Sequence, residues 1–277
     1  MKLIISVALL LLLSSSLHAQ ARRRAAVSAA ANSTGLTSFD SVDVVNPLRS
    51  SFEPRPPAAV PQGDNLVPVR DLRIPAKALK EYERSQTAFQ RGDLHASTEH
   101  LQKALHIYPD FVQAHNALGL RFLQLGEYEK ALAEHGTALS LDPQFSQTHQ
   151  DISFVFLLLN RNEEAEKEAR QALDLDPHAV VGRYVLGRAI ISQGHATPEA
   201  IEMLRQSEDV FPNASLVLAQ VHFSRGQTDQ VIAELRHYLR SPSDPTNKQK
   251  AECWVAQLSQ QPAPAGCPAG VTRPSFR

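Results

Sequence analysis

The sequence holds little of what most enzymes, nucleic-acid-binding proteins and metalloproteins need. Its 277 residues include two cysteines and one tryptophan, and 28 basic residues stand against 29 acidic ones. A near-zero net charge with no polybasic block beyond Arg22–Arg24 disfavours nucleic acid and anionic membrane surfaces as partners. No phosphate loop, dinucleotide fingerprint or nucleophile elbow is present. We therefore predict no enzyme activity, no catalytic or cofactor-binding residue and no cofactor.

Histidine is the one titratable residue type that is enriched, with 11 copies, but its spacing does not indicate a metal centre. A zinc site of the H-E-x-x-H kind needs two ligands on one helix face. His95, His100 and His106 are spaced five and six residues apart, so no two of them share a tight face. We predict no metal ligand.

The first 21 residues are typical of an export signal. Lys2 precedes the apolar run Leu3–Leu13, and the sequence after it permits cleavage after Ala19 or Ala21. An apolar run of this length is shorter than the roughly 20 residues that span a bilayer. The mature chain is therefore expected to be exported, without a membrane span. The alternative is an uncleaved anchor, because the basic residues Arg22–Arg24 oppose translocation of their flank. The destination is the periplasm in a double-membrane bacterium and the extracellular space otherwise.

Residues 22–74 are predicted to be a disordered linker. Seven of the 18 prolines fall between Pro47 and Pro75, and repeated proline prevents a continuous helix. A Pro- and Gly-rich stretch returns at residues 262–277, which we interpret as a flexible tail.

Between these segments the sequence repeats itself. Pro109, Pro143 and Pro177 are each 34 residues apart, and Pro212 follows 35 residues later. Such a period indicates stacked helical hairpins, each burying its apolar face against its neighbours. Small residues occupy equivalent slots of the first helix, where two helix axes approach closely. These are Ser85, Gly119, Ser153, Gly187 and Ala219.

The clearest repeat unit is Ala114–Pro143, in which Leu118-Gly119 is followed by an aromatic residue, glycine, alanine and proline. Those later residues are Phe122, Gly126, Tyr128, Ala131, Ala138 and Pro143. This pattern resembles the tetratricopeptide repeat (TPR). The resemblance implies an all-α fold, a right-handed superhelical solenoid of about five helix-turn-helix hairpins. The expected repeats are 78–111, 112–145, 146–179, 180–213 and 214–245, within 75–245.

A further helix is predicted at 246–261, where it would cap the stack. Thr246 can serve as its N-cap, and Ala251, Trp254, Val255 and Leu258 form an apolar stripe. Trp254 is interpreted as the anchor of this cap.

Cys253 and Cys267 are the only cysteines, and they suit an oxidising compartment. A bridge between them would close a loop of roughly 15 residues, worth about 3 kcal/mol in the chain-entropy model. Two unpaired thiols are the alternative.

The family resemblance also implies a binding surface, because first helices line the concave face of such stacks. The partner-binding residues expected there are Tyr82, Phe89, Asn116, Leu120, Leu123, Gln150, Phe154, Leu157, Tyr184, Arg188 and Phe223. Gln124, Leu158 and Ile191 occupy further first-helix slots of the same face. Carboxylate-clamping stacks of this family use Lys, Asn and Arg at slots that here hold Tyr82, Gln86, Ala117, Gln147 and Asp151. No clamp remains, and Asp151 would repel a carboxylate. Some of these side chains would instead be core if they pack on a neighbouring helix.

These patterns predict a binding module for a protein or peptide partner of unknown identity. Two alternatives stay open. The chain could be a non-catalytic subunit of an exported or envelope enzyme complex, or a structural protein that associates with itself.

Overall fold

The computed structural model describes residues 74–262 together with Pro264 and Cys267. The predicted signal segment and almost all of the predicted linker and tail lie outside these residues. The described residues divide into two compact units, the first ending at Phe211 and the second beginning at Pro212. The described residues form 11 α-helices and no strand, which confirms the all-α helical repeat fold. No helix in this part of the chain is long and apolar enough to cross a membrane.

The first unit contains eight helices that pair into four hairpins. In chain order they are α1 Ala76–Gln90, α2 Leu94–Ile107, α3 Val112–Gln124, α4 Tyr128–Leu141, α5 Ser146–Leu158, α6 Asn162–Leu175, α7 Val180–Ser192 and α8 Pro198–Arg205. Two helices thus fall in each of the first four predicted repeats.

Each hairpin turns at a residue with left-handed backbone. Gly126 has φ +76° between α3 and α4 and no Cβ to strain. The third hairpin uses Asn160, with φ +57°, and asparagine is among the side chains that tolerate this conformation best. A left-handed residue thus makes the tight turn in each hairpin.

The prolines of the 34-residue period separate one hairpin from the next. Each follows the residue that ends a second helix, and those residues, Tyr108, Asp142 and Asp176, have extended backbone with φ from −139° to −143°. Proline disfavours helical backbone in the residue before it. The period therefore marks the end of each hairpin.

The repeat slots that hold small residues pack closely against neighbouring helices. A Cβ added at Gly119 would lie 2.6 Å from Cε1 of His135, and one at Gly187 would lie 2.7 Å from the backbone oxygen of Ala200. Both distances are too short for a side chain, so α3 and α7 approach their partner helices only because glycine stands there. Ser85, Ser153 and Ala219 are buried in the same slot, which confirms the predicted register.

The second unit contains α9 Asn213–Ser224, α10 Thr228–Tyr238 and α11 Pro245–Leu258. Trp254 of α11 is buried among Leu216, Val231 and Tyr238, as expected for the anchor of a capping helix. The helix begins earlier than predicted. Asp244, not Thr246, is its N-cap and accepts a bond from the Asn247 amide.

The reason for the earlier start is Pro245, which lacks an N–H and suits the first position of a helix. The same unit holds a disulfide between Cys253 and Cys267, with a Cα–Cα distance of 5.6 Å. It joins the capping helix to the chain that follows.

Candidate partner-binding surface

Nine of the 11 residues expected to contact a partner are buried, and only Arg188 and Phe223 are partly exposed. The nine are Tyr82, Phe89, Asn116, Leu120, Leu123, Gln150, Phe154, Leu157 and Tyr184. First helices do carry these side chains, as predicted. However, neighbouring elements close over most of them.

Tyr82 and Tyr184 show how this happens, because both occupy the same repeat slot. The ring of Tyr82 lies 5.1 Å from that of Phe111, and the ring of Tyr184 stacks 4.4 Å from that of Phe211. Each phenylalanine lies at the end of the tyrosine's own repeat. Tyr82, Tyr184 and Phe154 have no exposed area, so they belong to the core and present no surface to a partner.

Phe89 is covered by a cation. The guanidinium carbon of Arg121, on α3, lies 3.6 Å from the centre of the Phe89 ring, and Nε of Arg121 donates to the Ser97 hydroxyl at 3.0 Å. Arg121 is fully buried, and its Nη1 and Nη2 have no hydrogen-bond partner among the described residues. Burial lowers the pKa of Arg121 to about 10. Phe89 is thus part of a buried cation–π contact.

Asn116 is the centre of a buried polar network that joins the second and third hairpins. Its Nδ2 donates to Oδ2 of Asp151 at 2.8 Å, and its Oδ1 accepts from Thr148 at 3.0 Å. His135 Nδ1 lies 2.9 Å from the same oxygen. Gln147 completes the network by donating to Oδ1 of Asp151 at 3.0 Å.

The network also explains why Asp151 is not a surface charge. Burial raises the pKa of Asp151 to about 8, against the opposing effect of the bonds from Asn116 and Gln147. Burial likewise lowers the pKa of His135 to about 3. Both groups are therefore neutral near pH 7, and Asp151 cannot repel a carboxylate as its slot suggested.

A smaller part of the first helices remains accessible in the first unit. Gln124, Leu158, Arg188 and Ile191 are all partly exposed. Gln124 and Leu158 occupy the same repeat slot, and Ile191 and Arg188 occupy the slots one and four residues before it, so all four lie on the equivalent face of their helices. Arg188 donates to the Tyr184 hydroxyl at 2.9 Å. We call these four residues the open strip. It offers two aliphatic side chains, an amide and one cation.

Phe223 lies in the second unit, where its ring makes an edge contact with Trp254 at 5.4 Å. This partly exposed ring therefore supports the capping helix. Among the described residues no group of three or more His, Cys, Asp or Glu side chains is placed to hold a metal ion.

Sequence reasoning missed Arg121 as a structural residue. The only signal was a basic residue inside the apolar run Leu118–Leu123 of a first helix, at a position that a helical stripe assigns to the core.

Residues 82–144 match a family model described as the tetratricopeptide repeat. These residues therefore belong to the tetratricopeptide repeat family. No curated protein matches the chain in sequence. Among solved structures, the chain is similar to PilF of Pseudomonas aeruginosa, with 19% identity, a TM-score of 0.58 and coverage of 66% of this chain and 85% of that one.

PilW, a type IV pilus biogenesis factor, is similar to the same degree, with 19% identity, a TM-score of 0.58 and coverage of 67% and 87%. TTC0263, a TPR protein of Thermus thermophilus, has 17% identity, a TM-score of 0.50 and coverage of 66% and 97%. At these identities the likeness establishes the helical repeat fold.

Proposed function

We propose that this TPR protein is a non-catalytic, exported scaffold that binds a protein or peptide partner along the open strip. The observation that carries the proposal is the contrast on the first helices of one unit. Most expected contact residues are buried, whereas Leu158 and Ile191 keep part of their aliphatic surface accessible, as do Gln124 and Arg188. TPR proteins are generally scaffolds, which supports a binding role.

The chemistry of the strip favours a partner segment with apolar side chains. Leu158 and Ile191 can be covered by such side chains, and burial of apolar area drives most protein association. The partly exposed side-chain amide of Gln124 can hydrogen-bond the backbone of such a segment. Electrostatics would contribute little, because Arg188 is the strip's one charged group.

Site-specific photo-crosslinking tests the binding site. A photoreactive residue placed at Leu158 or Ile191 in the native host should form an adduct with one partner, to be identified by mass spectrometry. Ile107 provides a matched control, because it is an exposed isoleucine at the end of a second helix. Equal adducts from positions 107 and 191 would refute the open strip as the site.

The same experiment separates the alternatives. An adduct with a second copy of this chain would indicate a self-associating structural protein. An adduct with an enzyme would indicate a non-catalytic subunit of a larger complex.

Export is the second part of the proposal and is supported by the sequence of residues 1–21. N-terminal sequencing of the protein from the native host should give a chain that begins at Gln20 or Arg22. An intact Met1 in the membrane fraction would instead establish an uncleaved anchor.

A further inference from the structure

Two histidines in the same repeat slot each lie between two hydrogen-bond acceptors. His115 on α3 places Nδ1 2.7 Å from Oε2 of Glu134 and Nε2 2.8 Å from the backbone oxygen of Pro109. One repeat later, His149 on α5 places Nδ1 2.8 Å from Oε2 of Glu168 and Nε2 3.3 Å from the backbone oxygen of Pro143.

The two acceptors around each ring determine which protonation state of the imidazole satisfies both contacts. A neutral imidazole has one N–H and one acceptor nitrogen, whereas the imidazolium has two N–H groups. A carboxylate and a carbonyl can only accept from these rings. Both contacts are therefore satisfied at once only when the ring carries two protons. A neutral ring leaves one nitrogen lone pair facing an oxygen lone pair.

The two acceptors belong to different parts of the repeat. Glu134 and Glu168 are on the second helix of the histidine's own hairpin, while Pro109 and Pro143 lie in the connection from the hairpin before. Each charged ring thus connects a hairpin to the junction that precedes it. Loss of the second proton would release one of these two connections.

The junction at Pro177 has the same side-chain contact to the proline carbonyl, but its donor does not titrate. Arg183 occupies the equivalent slot on α7 and donates from Nη2 to the backbone oxygen of Pro177. A guanidinium keeps its charge at all physiological pH values. The first unit therefore contains two junctions with a titratable donor and one with a permanent donor.

We propose that His115 and His149 make the first two hairpin junctions of this TPR protein sensitive to pH. The junctions are more stable when the rings are protonated and less stable when the rings are neutral. The charged groups that face the rings are Glu134 and Asp110 for His115 and Glu168 for His149.

The groups around the two rings favour the protonated imidazole. Burial opposes the charge on His115, but the bonds to Glu134 and Pro109 outweigh it and raise its pKa. The bond to Glu168 raises the pKa of His149, against burial and with help from Pro143. A group whose pKa is raised on folding stabilises the fold fully below its unfolded value of about 6.5. That stabilisation is lost as the pH rises through the folded pKa.

Nitrogen-15 NMR of the imidazole rings in the full mature chain is the direct test. At about pH 6, below the ordinary histidine pKa, both nitrogens of His115 and His149 should show shifts of protonated rings. Their titration midpoints should lie above the unfolded value. Rings that are neutral at that pH would overturn the proposal.

A second test replaces both histidines by the arginine that the third junction has in the same slot. His115→Arg with His149→Arg installs the permanent donor of Arg183, so the double variant should lose less melting temperature than the wild type between about pH 6 and pH 8. His95→Arg is the matched control, since His95 is exposed on α2, and it should keep the wild-type slope. An unchanged slope in the double variant would overturn the proposal.

Hydrogen exchange then localises the effect. After correction for the intrinsic pH dependence of exchange, the junctions at Pro109 and Pro143 should lose protection as the pH rises. The junction at Pro177 should not. Equal losses at all three junctions would contradict a role for the two histidines.

Discussion

Two buried polar sites in the first unit differ in how far hydrogen bonds offset the cost of burying their polar groups. The network around Asn116 joins α3, α4 and α5, and its buried side-chain polar atoms have partners among the described residues except Nε2 of His135, while His135 and Asp151 are held neutral. The site around Arg121 keeps a cation with one hydrogen bond and one aromatic ring. Buried polar groups stabilise a fold when they are satisfied and destabilise it when they are not. The first site should therefore be indispensable and the second dispensable.

The largest effect is expected from Asn116→Leu, which removes the centre of the network. His135, Thr148 and Asp151 would each lose a partner, and an unsatisfied buried polar group costs about 1–3 kcal/mol. The free energy of unfolding, measured in urea, should fall by upwards of about 3 kcal/mol. Gln171→Leu, at an exposed position on α6, should have little effect. Equal losses in the two variants would show that the network does not stabilise the fold.

Gly119→Ala tests the packing of the same network, because the added Cβ would lie 2.6–2.8 Å from the His135 ring. Overpacking of this kind costs about 1–3 kcal/mol. Gly136→Ala on α4 meets nothing within 4 Å and should instead add about 0.5–1 kcal/mol, as expected for alanine over glycine in a helix. Thermal melts followed by circular dichroism compare the two. Similar melting temperatures would mean that α3 and α4 are not held this closely.

The pH dependence of stability sharpens the comparison further. The pKa of Asp151 is raised to about 8, so its contribution is complete below about pH 4 and is lost as the pH rises toward 8. The pKa of His135 is lowered to about 3, so its contribution is present above about pH 6.5 and is lost as the pH falls.

These two effects cancel between about pH 4 and pH 6.5. Between about pH 6.5 and pH 8 only Asp151 acts, and the free energy of unfolding should fall by about 2 kcal/mol, at about 1.4 kcal/mol per pH unit. The measurement belongs in the His115→Arg, His149→Arg variant, where the other two rings do not titrate. A carboxyl carbon shift of Asp151 that titrates near its ordinary value would contradict this prediction.

The smallest effect is expected from Arg121→Met. Removing an uncompensated buried charge is often neutral or stabilising, and methionine keeps a favourable contact with the Phe89 ring. Ser97 retains its contact with the Ser85 hydroxyl at 3.1 Å. The free energy of unfolding should stay unchanged or rise by about 1 kcal/mol. Arg84→Met, at an exposed position, is the control. A clear loss of stability in the Arg121 variant alone would show that the cation is required.

The elements of the fold could be predicted from sequence because their causes are local and repeated. Prolines every 34 residues end the second helices, and a left-handed residue turns each hairpin at Gly126 and its equivalents. Small side chains at Gly119 and Gly187 occur where helix axes meet. The start of the capping helix at Asp244 was missed, because Pro245 was interpreted as the end of a repeat and not as the first residue of a helix.

The amino-acid sequence by itself determined the all-α repeat fold, its period and the register of its small residues. Only the tertiary structure decided which first-helix side chains stay accessible. The burial of Tyr82 by Phe111, of Tyr184 by Phe211 and of Asn116 by Asp151 involves residues 27 to 35 positions apart. The spacing of apolar residues along one helix does not reveal contacts with residues so far away in the sequence. Exposure in a repeat stack depends on what the end of the same repeat and the adjoining repeat place against each slot, and that differs from slot to slot even where the backbone repeats.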